Sequence, residues 1–192
     1  MNPKINILSE ETLSEQKYNL KKFVLEYQEE NQEKQVHTRE VFDRGNGTAI
    51  LLYNKAAQTV LLTKQFRLPT YLNGNQTGML IEACAGTLDE ENPKDCIIRE
   101  TREETGYHIP DAEKVFEVYV SPAAVTELMY LYVAEYAPEM KLSKGGGLEE
   151  ENENIENVEL PFSAALEMVK NGEIRDAKTI LLLQYAQLHK LL

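Results

Sequence analysis

Three glutamates near the middle of the sequence have a type and spacing suited to chemistry on a charged substrate. Glu100, Glu103 and Glu104 lie three and four residues apart, so on a helix they share one sector with Cys96. Unpaired carboxylates one helical turn apart repel each other. The face can be solvated, with Arg99 pairing to Glu103 at i, i+4, or the carboxylates can bind a divalent cation such as Mg²⁺, which prefers oxygen ligands. The three glutamates alone favour the solvated face.

The surrounding residues predict the elements that would position these carboxylates. Asn92-Pro93 predicts a helix start, because proline suits the first helical position, and Gly106 predicts a left-handed cap at the helix end. The apolar stretch from Met79 to Ala85 predicts a short buried strand, and a glycine turn at Gly86 follows it. The apolar sector of the helix would face a core and contains Ile97, Ile98, Thr101 and Thr105. We therefore expect the carboxylates at the edge of the buried face.

Composition and charge limit the class of partner. The chain has 192 residues, 42% of them hydrophobic, which is enough for one domain with a sizeable core. Its net charge of −12 argues against a general nucleic-acid binder or a protein that binds anionic membranes. One small anionic substrate is compatible with this charge, because a bound metal ion reverses the local field.

Cysteine usage and hydropathy bear on location. The two cysteines, Cys84 and Cys96, favour a reducing compartment over a disulfide scaffold. The first residues contain no apolar run typical of a signal peptide, and no run of about 20 apolar residues occurs in the sequence. We expect a cytoplasmic protein without a transmembrane helix.

Hydrophobic patterning predicts strands, a helix, further strands, an acidic loop and two last helices. The predicted strands are Gln16 to Tyr27, Val36 to Phe42, Thr48 to Tyr53, Thr59 to Phe66, Met79 to Cys84, Glu113 to Val120 and Glu127 to Tyr136. Tyr71 to Gly78 predicts a surface loop, and Lys141 to Asn157, with three glycines and many glutamates, predicts an acidic loop. The last helices would span Ser163 to Lys170 and, capped by Asp176, a stretch to Leu192.

This order predicts an α/β fold: an α/β/α sandwich with a mixed β-sheet, preceded by a small N-terminal β-strand layer. We place the layer at residues 1–45 and the main domain at residues 46–192. Neither an internal repeat nor a linker is evident.

The stretch from Gly86 to Tyr107 resembles the Nudix box, the signature G-x5-E-x7-R-E-U-x-E-E-x-G-U of the Nudix hydrolase family, where U is aliphatic. Arg99-Glu100 matches R-E, Glu103-Glu104 matches E-E, and Gly106 matches the last glycine. Two departures concern Thr101, which replaces the first aliphatic residue, and the spacing from Gly86 to Arg99, which is one residue shorter. The early glutamate of the box therefore falls on Glu91 or Asn92.

The resemblance extends over essentially the whole chain and is greatest to the GDP-mannose pyrophosphatase subfamily. The stretches that carry it include Arg39-Glu40-Val41, Gln65-Phe66-Arg67, Ile81-Glu82-Ala83-Cys84-Ala85-Gly86, Val125-Thr126-Glu127-Leu128, Gly145-Gly146-Gly147 and Gly172-Glu173-Ile174-Arg175-Asp176 with Lys178-Thr179. It implies a Nudix fold, a homodimer that exchanges N-terminal strands, and hydrolysis of a nucleoside diphosphate sugar at its pyrophosphate. GDP-mannose would give GMP and mannose 1-phosphate.

The same resemblance implies a metal site. Mg²⁺, for which Mn²⁺ could substitute, would be held by the Ala85 carbonyl, Glu100, Glu104 and a glutamate of the acidic loop. Aligned backwards from Leu160, that glutamate is Glu153; aligned forwards from the glycines it is Glu151. We prefer Glu153 as the ligand and Glu151 as the general base.

Further site residues follow from matching the subfamily position by position. The implied catalytic residues are Glu151, Glu103 and Arg99, with Arg99 orienting the box glutamates. The implied substrate-binding residues are Tyr18, Thr38, Arg39, Glu40, Arg67, Gly86, Thr87, Glu127, Asn152 and Lys178. Arginine and lysine would neutralise the phosphates, and Tyr18 would stack on the base.

Two alternatives stay open. The box is common to ADP-ribose or ADP-sugar pyrophosphatases and cannot decide the base or the sugar. A non-catalytic nucleotide-binding Nudix protein is the alternative of a different class, and the retention of all three box glutamates argues against it.

Overall fold

The computed structural model describes residues 2–88, 90–148 and 154–192. Contacts divide the chain into two compact units. The first comprises Met1–Asn46 and Tyr119–Leu128, and the second comprises Gly47–Val118 and Met129–Leu192. We call them the strand unit and the main unit.

The strand unit is built on a three-stranded antiparallel sheet. Its strands are β1 (Lys4–Glu15), β2 (Asn19–Gln28) and β3 (Gln35–Asp43), in the order β1-β2-β3. The predicted hairpin of β2 and β3 is confirmed. The sequence did not predict β1, because every residue of this strand is exposed and its side chains therefore carry no alternation of burial.

A segment from later in the chain hydrogen-bonds to the end of β3. The Phe42 N–H donates to the Ala124 carbonyl at 2.7 Å, and the Thr126 N–H donates to the Phe42 carbonyl at 3.1 Å. The Thr126 hydroxyl also donates to Asp43 Oδ1 at 2.8 Å. These bonds explain why Tyr119–Leu128 groups with the N-terminal residues rather than with the main unit.

The main unit contains a seven-stranded mixed sheet. Its strands are β4 (Asn46–Asn54), β5 (Thr59–Phe66), β6 (Met79–Glu82), β7 (Cys84–Leu88), β8 (Glu113–Tyr119), β9 (Leu128–Glu135) and β10 (Glu156–Pro161). The order is β10-β5-β4-β9-β8, with β6 paired to β5 and β7 paired to β4. β4 and β9 are parallel, whereas β5 is antiparallel to β4, β6 and β10, so the predicted mixed sheet is confirmed. The strands β7 and β10 were not predicted, and Gly86, where a turn was expected, lies within β7.

Alternate residues of β4 face two separate cores. Ala49 and Leu51 pack in one hydrophobic cluster with Leu182, whereas Ile50 and Leu52 pack in the other cluster. The first cluster thus includes Leu182 of the helix Ala177–His189, and the second includes Ile97 of the helix Pro93–Glu100, here called the box helix. Because helices cover both faces of the sheet, the predicted α/β/α sandwich is confirmed.

The helices begin and end close to their predicted positions, with two additions. They are α1 (Leu68–Leu72), α2 (Pro93–Glu100), α3 (Phe162–Asn171) and α4 (Ala177–His189), and a 3₁₀ turn spans Pro138–Met140. Asp176 caps α4 by accepting the Thr179 N–H at 3.0 Å, and Gly172 ends α3 with a φ of 79°. The short α1 lies partly where a loop was predicted. Within the described part of the chain, no helix is long and apolar enough to span a membrane.

Candidate active site

The box helix begins as predicted and ends in a wider turn. The Asn92 side chain caps α2 by accepting the Lys94 N–H at 2.9 Å. After Glu100 the helix continues as a π-helical turn, Thr101–Thr105, and Gly106 closes it with a φ of 79°. Threonine hydroxyls that bond to carbonyls four residues earlier distort a helix locally, and Thr101 makes such a bond to the Ile97 carbonyl at 2.7 Å. The aliphatic position that Thr101 occupies is fully buried.

Both predicted metal-binding carboxylates of this helix lie against the residues that precede it. Glu104 Oε2 accepts the Ala85 N–H at 3.3 Å. A Cβ at Gly86 would lie 2.4 Å from Glu100 Oε1, so only glycine leaves room for that carboxylate. Glu104 is 1% exposed. The expectation that the carboxylates stay at the edge of the buried face is therefore wrong for Glu104, because it lies seven residues after the buried Ile97 and so on nearly the same side of the helix.

Arg99 connects the carboxylates on the outer side of the helix. It contacts Glu100 Oε1 at 3.0 Å and Glu103 Oε2 at 2.8 Å through Nη1, and Glu91 Oε1 at 2.6 Å through Nη2. The hydrogen bond to Glu91, with the nearby charges of Glu100 and Glu103, raises the pKa of Arg99 above its usual value. The i, i+4 pair of Arg99 and Glu103 proposed for a solvated face is present. Glu91 rather than the capping Asn92 is the residue that contacts Arg99.

Two predicted substrate-binding cations, distant in sequence, meet on one carboxylate. Glu82 Oε1 accepts Arg67 Nε at 2.6 Å, and Glu82 Oε2 accepts Lys178 Nζ at 2.6 Å. Lys178 also donates to Asp176 Oδ1 at 2.9 Å. Burial alone would lower the pKa of Lys178, but the Asp176 and Glu82 carboxylates outweigh burial and raise it. Burial likewise opposes the charge of Arg67, whose pKa is nonetheless raised by Glu82 and, to a smaller extent, by Glu104.

The start of α4 is fixed to the strand that leads into the box. The Thr179 hydroxyl donates to Asp176 Oδ2 at 2.6 Å and accepts the Ala83 N–H at 2.7 Å. Ala83 is 1% exposed and precedes Ala85 by two residues. The helix start that carries Lys178 is therefore bonded to the same backbone that carries the predicted metal-binding carbonyl.

The three glycines before the acidic loop attach to the carboxylate-bearing turn. The Gly146 N–H donates to the Glu104 carbonyl at 2.8 Å, and the Gly147 N–H donates to the Glu103 carbonyl at 3.2 Å. A Cβ at Gly145 would lie 2.4 Å from the Glu104 carbonyl oxygen, and its φ of 67° is unfavourable for other residues. Beyond the loop, Asn157 Nδ2 donates to the Glu104 carbonyl at 3.2 Å. Glu151, Asn152 and Glu153 lie outside the described residues, and their predicted roles stay predictions.

The other predicted substrate-binding residues are placed in two groups. Thr38, Arg39, Glu40, Tyr18 and Glu127 belong to the strand unit. There, Arg39 Nη1 donates to the Thr38 carbonyl at 2.8 Å, and Glu127 pairs with Arg44 at 3.4 Å. The Arg44 guanidinium lies over the Tyr18 ring, with its Cζ atom 5.5 Å from the centroid of that ring. Thr87 belongs to the main unit, on β7, where its side chain is exposed.

Sequence reasoning did not single out Glu82 as a site residue. The signal was a lone acidic residue inside an apolar strand, since a buried carboxylate is costly unless cations or hydrogen bonds compensate it. Its partners were not evident, because Arg67 lies on the preceding connection and Lys178 lies near the other end of the chain.

The residues present fit a hard divalent cation. Two glutamates and a backbone carbonyl are the oxygen donors that such ions prefer, and Gly86 leaves the space that Glu100 occupies. Within residues 2–88, 90–148 and 154–192, no group of three histidine, cysteine or acidic side chains is arranged to hold a metal ion.

Comparisons with known proteins place both parts of the chain. The NUDIX domain model matches residues 43–183, and the model described as the GDP-mannose pyrophosphatase NudK N-terminal domain matches residues 4–42. Similar curated proteins include a GDP-mannose pyrophosphatase of Salmonella paratyphi B, 51% identical over 187 residues that cover 97% of each chain. A GDP-mannose pyrophosphatase of Yersinia pestis is 51% identical over 189 residues, 98% of this chain and 94% of that protein. A crystal structure described as an ADP compounds hydrolase has a TM-score of 0.71 at 19% identity, covering 97% and 93% of the two chains, and supports the fold.

Proposed function

This chain belongs to the Nudix hydrolase family, and from that premise we propose that it hydrolyses the pyrophosphate bond of GDP-mannose to GMP and mannose 1-phosphate. Nudix hydrolases generally use divalent metal ions, and Mg²⁺ is the ion we propose, with Mn²⁺ as a substitute. The observation that carries the reaction type is the placement of Glu100 and Glu104 against Ala85-Gly86. The relatives' substrate, shared across nearly full-length matches, supports the choice of GDP-mannose.

The metal would be held by the Ala85 carbonyl, Glu100 and Glu104, with Glu153 from the acidic loop. When bound, such an ion neutralises phosphate charge and lowers the pKa of a coordinated water. The chain's own cations, Arg67 and Lys178, bind the remaining phosphate charge.

The bond chemistry needs a water, a base and a leaving phosphate. The water oxygen attacks one phosphorus, the bridging P–O bond breaks, and the two products leave as GMP and mannose 1-phosphate. Glu151 takes the proton from water, and Glu103 is the alternative base. Arg99 fixes the direction of Glu100 and Glu103 through its contacts at 3.0 and 2.8 Å.

We propose that the strand unit pairs with a second copy of the chain. β1 exposes four large apolar side chains: Ile5 at 60%, Ile7 at 53%, Leu8 at 50% and Leu13 at 41%. A small unit that leaves so much apolar surface open gains stability by covering it. In the resulting homodimer Arg39 and its neighbours Thr38 and Glu40 would contribute to substrate binding, as would Tyr18, Glu127, Thr87, Gly86 and Asn152.

A cytoplasmic location belongs to the same proposal. Cys84 and Cys96 are both buried free thiols. Burial raises the pKa of Cys96 to about 12 and that of Cys84 well above its usual value. Neutral buried thiols of this kind suit a reducing compartment.

A substrate panel tests the function. GDP-mannose, ADP-ribose and ADP-glucose are incubated separately with the protein and Mg²⁺. Alkaline phosphatase then releases inorganic phosphate from the monophosphate products, and the amount of this phosphate gives the rate. We expect the highest kcat/KM with GDP-mannose. A higher value with ADP-ribose would transfer the assignment to the ADP-ribose pyrophosphatases. Binding without turnover of all three would favour the non-catalytic alternative.

A further inference from the structure

One buried carboxylate joins two cations of the main unit, Arg67 and Lys178. Only 3% of the Glu82 side chain is exposed, and it accepts hydrogen bonds from both Arg67 and Lys178. Its Oε2 is shared, since it accepts Lys178 Nζ at 2.6 Å and Arg67 Nη2 at 3.4 Å. Two cations that share one oxygen repel each other, and the carboxylate between them offsets this repulsion. The arrangement of Arg67 and Lys178 therefore depends on Glu82.

Glu82 orients Arg67 and leaves one edge of it available. A guanidinium has five N–H donors in a planar fork. Among the described residues, its only side-chain hydrogen bonds are the two to Glu82, through Nε and Nη2, and 40% of the side chain is exposed. Fixing that edge fixes the direction of Nη1. A guanidinium held in this way suits the paired oxygens of a phosphate.

Lys178 is held more tightly, with 12% of its side chain exposed. Two of the three ammonium donors are directed to Glu82 Oε2 and Asp176 Oδ1, so within the described part of the chain one donor remains for a ligand. The backbone of Glu82 is itself fixed through the next residue, because the Ala83 N–H donates to Thr179 Oγ1 at 2.7 Å. Carboxylate, strand and helix start thus form one bonded unit.

We propose that Glu82 is a positioning residue for the pyrophosphatase reaction: it aligns Arg67 and Lys178 as a pair that binds the substrate's diphosphate, without touching the substrate. This inference rests on the proposed function. A carboxylate that only stabilised the fold would change the unfolding temperature and leave the affinity for nucleotide sugar unchanged.

The first test is Glu82→Gln. The glutamine amide places N–H donors where a carboxylate oxygen accepted, so a donor would face Arg67 or Lys178. We expect KM for GDP-mannose in Mg²⁺ to rise about tenfold to a hundredfold, as losing a hydrogen bond between charged groups does, with a smaller change in kcat. Mn²⁺ affinity, measured by titration without substrate, should not change, because Glu100 and Glu104 are untouched. The matched control is Glu135→Gln, which removes the exposed pair with Lys55 at 3.3 Å and should leave KM as in the wild type.

A double-mutant cycle separates positioning from direct action. In an Arg67→Gln background, Glu82→Gln should raise KM by a smaller factor than in the wild type, because only the part of its effect that passes through Lys178 remains. Fully additive effects would overturn the proposal. If Glu82→Gln does not fold, Glu82→Asp, which keeps the charge but withdraws the carboxylate by one methylene, is expected to raise KM, and a wild-type KM in that folded variant would overturn it as well.

The outcomes distinguish this inference from the proposed function. Turnover by the wild type, together with unchanged KM in the Glu82 variants, contradicts the positioning role alone. For a wild type without turnover, the readout becomes calorimetric binding of GDP-mannose. Weaker binding by Glu82→Gln than by the wild type would then support the positioning role although the hydrolase assignment fails. Equal binding by the two proteins, or no binding by the wild type, would overturn both the positioning role and the proposed function.

Discussion

Glu104 is the residue on which the proposed chemistry depends most. It is 1% exposed and accepts the Ala85 N–H, so its carboxylate is held where the metal-binding carbonyl is expected. We predict that Glu104→Gln lowers kcat on the order of a thousandfold, since a bound metal supplies several kcal/mol of charge stabilisation. Glutamine has nearly the same volume, so circular dichroism and the unfolding temperature should show a retained fold.

The controls for this variant test the metal requirement directly. Glu167→Gln, which removes an exposed pair with Lys170, should keep wild-type activity. Full activity of the wild type in excess chelator would contradict the metal-dependent mechanism.

Glu151 and Glu153 lie outside the described residues, so their roles are argued from sequence alone. They are two residues apart, which allows one to bind metal while the other takes the proton from water. We predict that Glu153→Gln weakens Mg²⁺ binding, whereas Glu151→Gln lowers kcat with metal affinity little changed. Mg²⁺ titrations of initial rate give both quantities. Reversed phenotypes would make Glu151 the ligand, and two wild-type profiles would direct the search for a base to Glu103.

At the scale of elements, the contact between β7 and the box helix depends on a missing side chain. A Cβ at Gly86 would lie 2.3 Å from Glu100 Cγ. We predict that Gly86→Ala raises the Mg²⁺ concentration for half-maximal rate about tenfold, because displacing one charged ligand costs on the order of 1–2 kcal/mol. Gly74→Ala is the control: its φ of 94° makes alanine strained, but no atom lies within 4 Å. That variant should unfold at a lower temperature with an unchanged Mg²⁺ dependence.

The sequence predicted the elements whose signals are local. Asn92 and Asp176 accept backbone N–H groups as expected of caps, and Gly106 takes the left-handed conformation. The strand β1 was missed because each of its side chains is exposed, which removes the periodic signal. The π turn was missed because its geometry depends on buried threonine hydroxyls, and the joining of Arg67 to Lys178 through Glu82 depends on tertiary contacts.

At the scale of the whole molecule, we predict a homodimer. The reason is the apolar surface of β1, where Ile5 and Ile7 are more than half exposed. Sedimentation at micromolar concentration should give twice the mass of one chain, and Ile5→Lys with Ile7→Lys should shift the protein towards monomer. The control is Lys4→Glu with Asn6→Lys, which changes two polar residues of the same strand and should leave the protein dimeric. A fully active monomeric wild type would contradict the dimeric site.

The strand unit is discontinuous along the chain, and this limits how the protein can be divided. A cut after Asn46 would leave Ala124 and Thr126 without the backbone partners that Phe42 supplies at 2.7 and 3.1 Å. The remaining fragment would carry a loop with exposed, unpaired peptide groups, and the excised fragment would keep the β3 edge at Phe42 without the loop that covers it. An exchange of the N-terminal strands between relatives to change specificity should therefore include residues 119–128, because the two segments form a single structural unit.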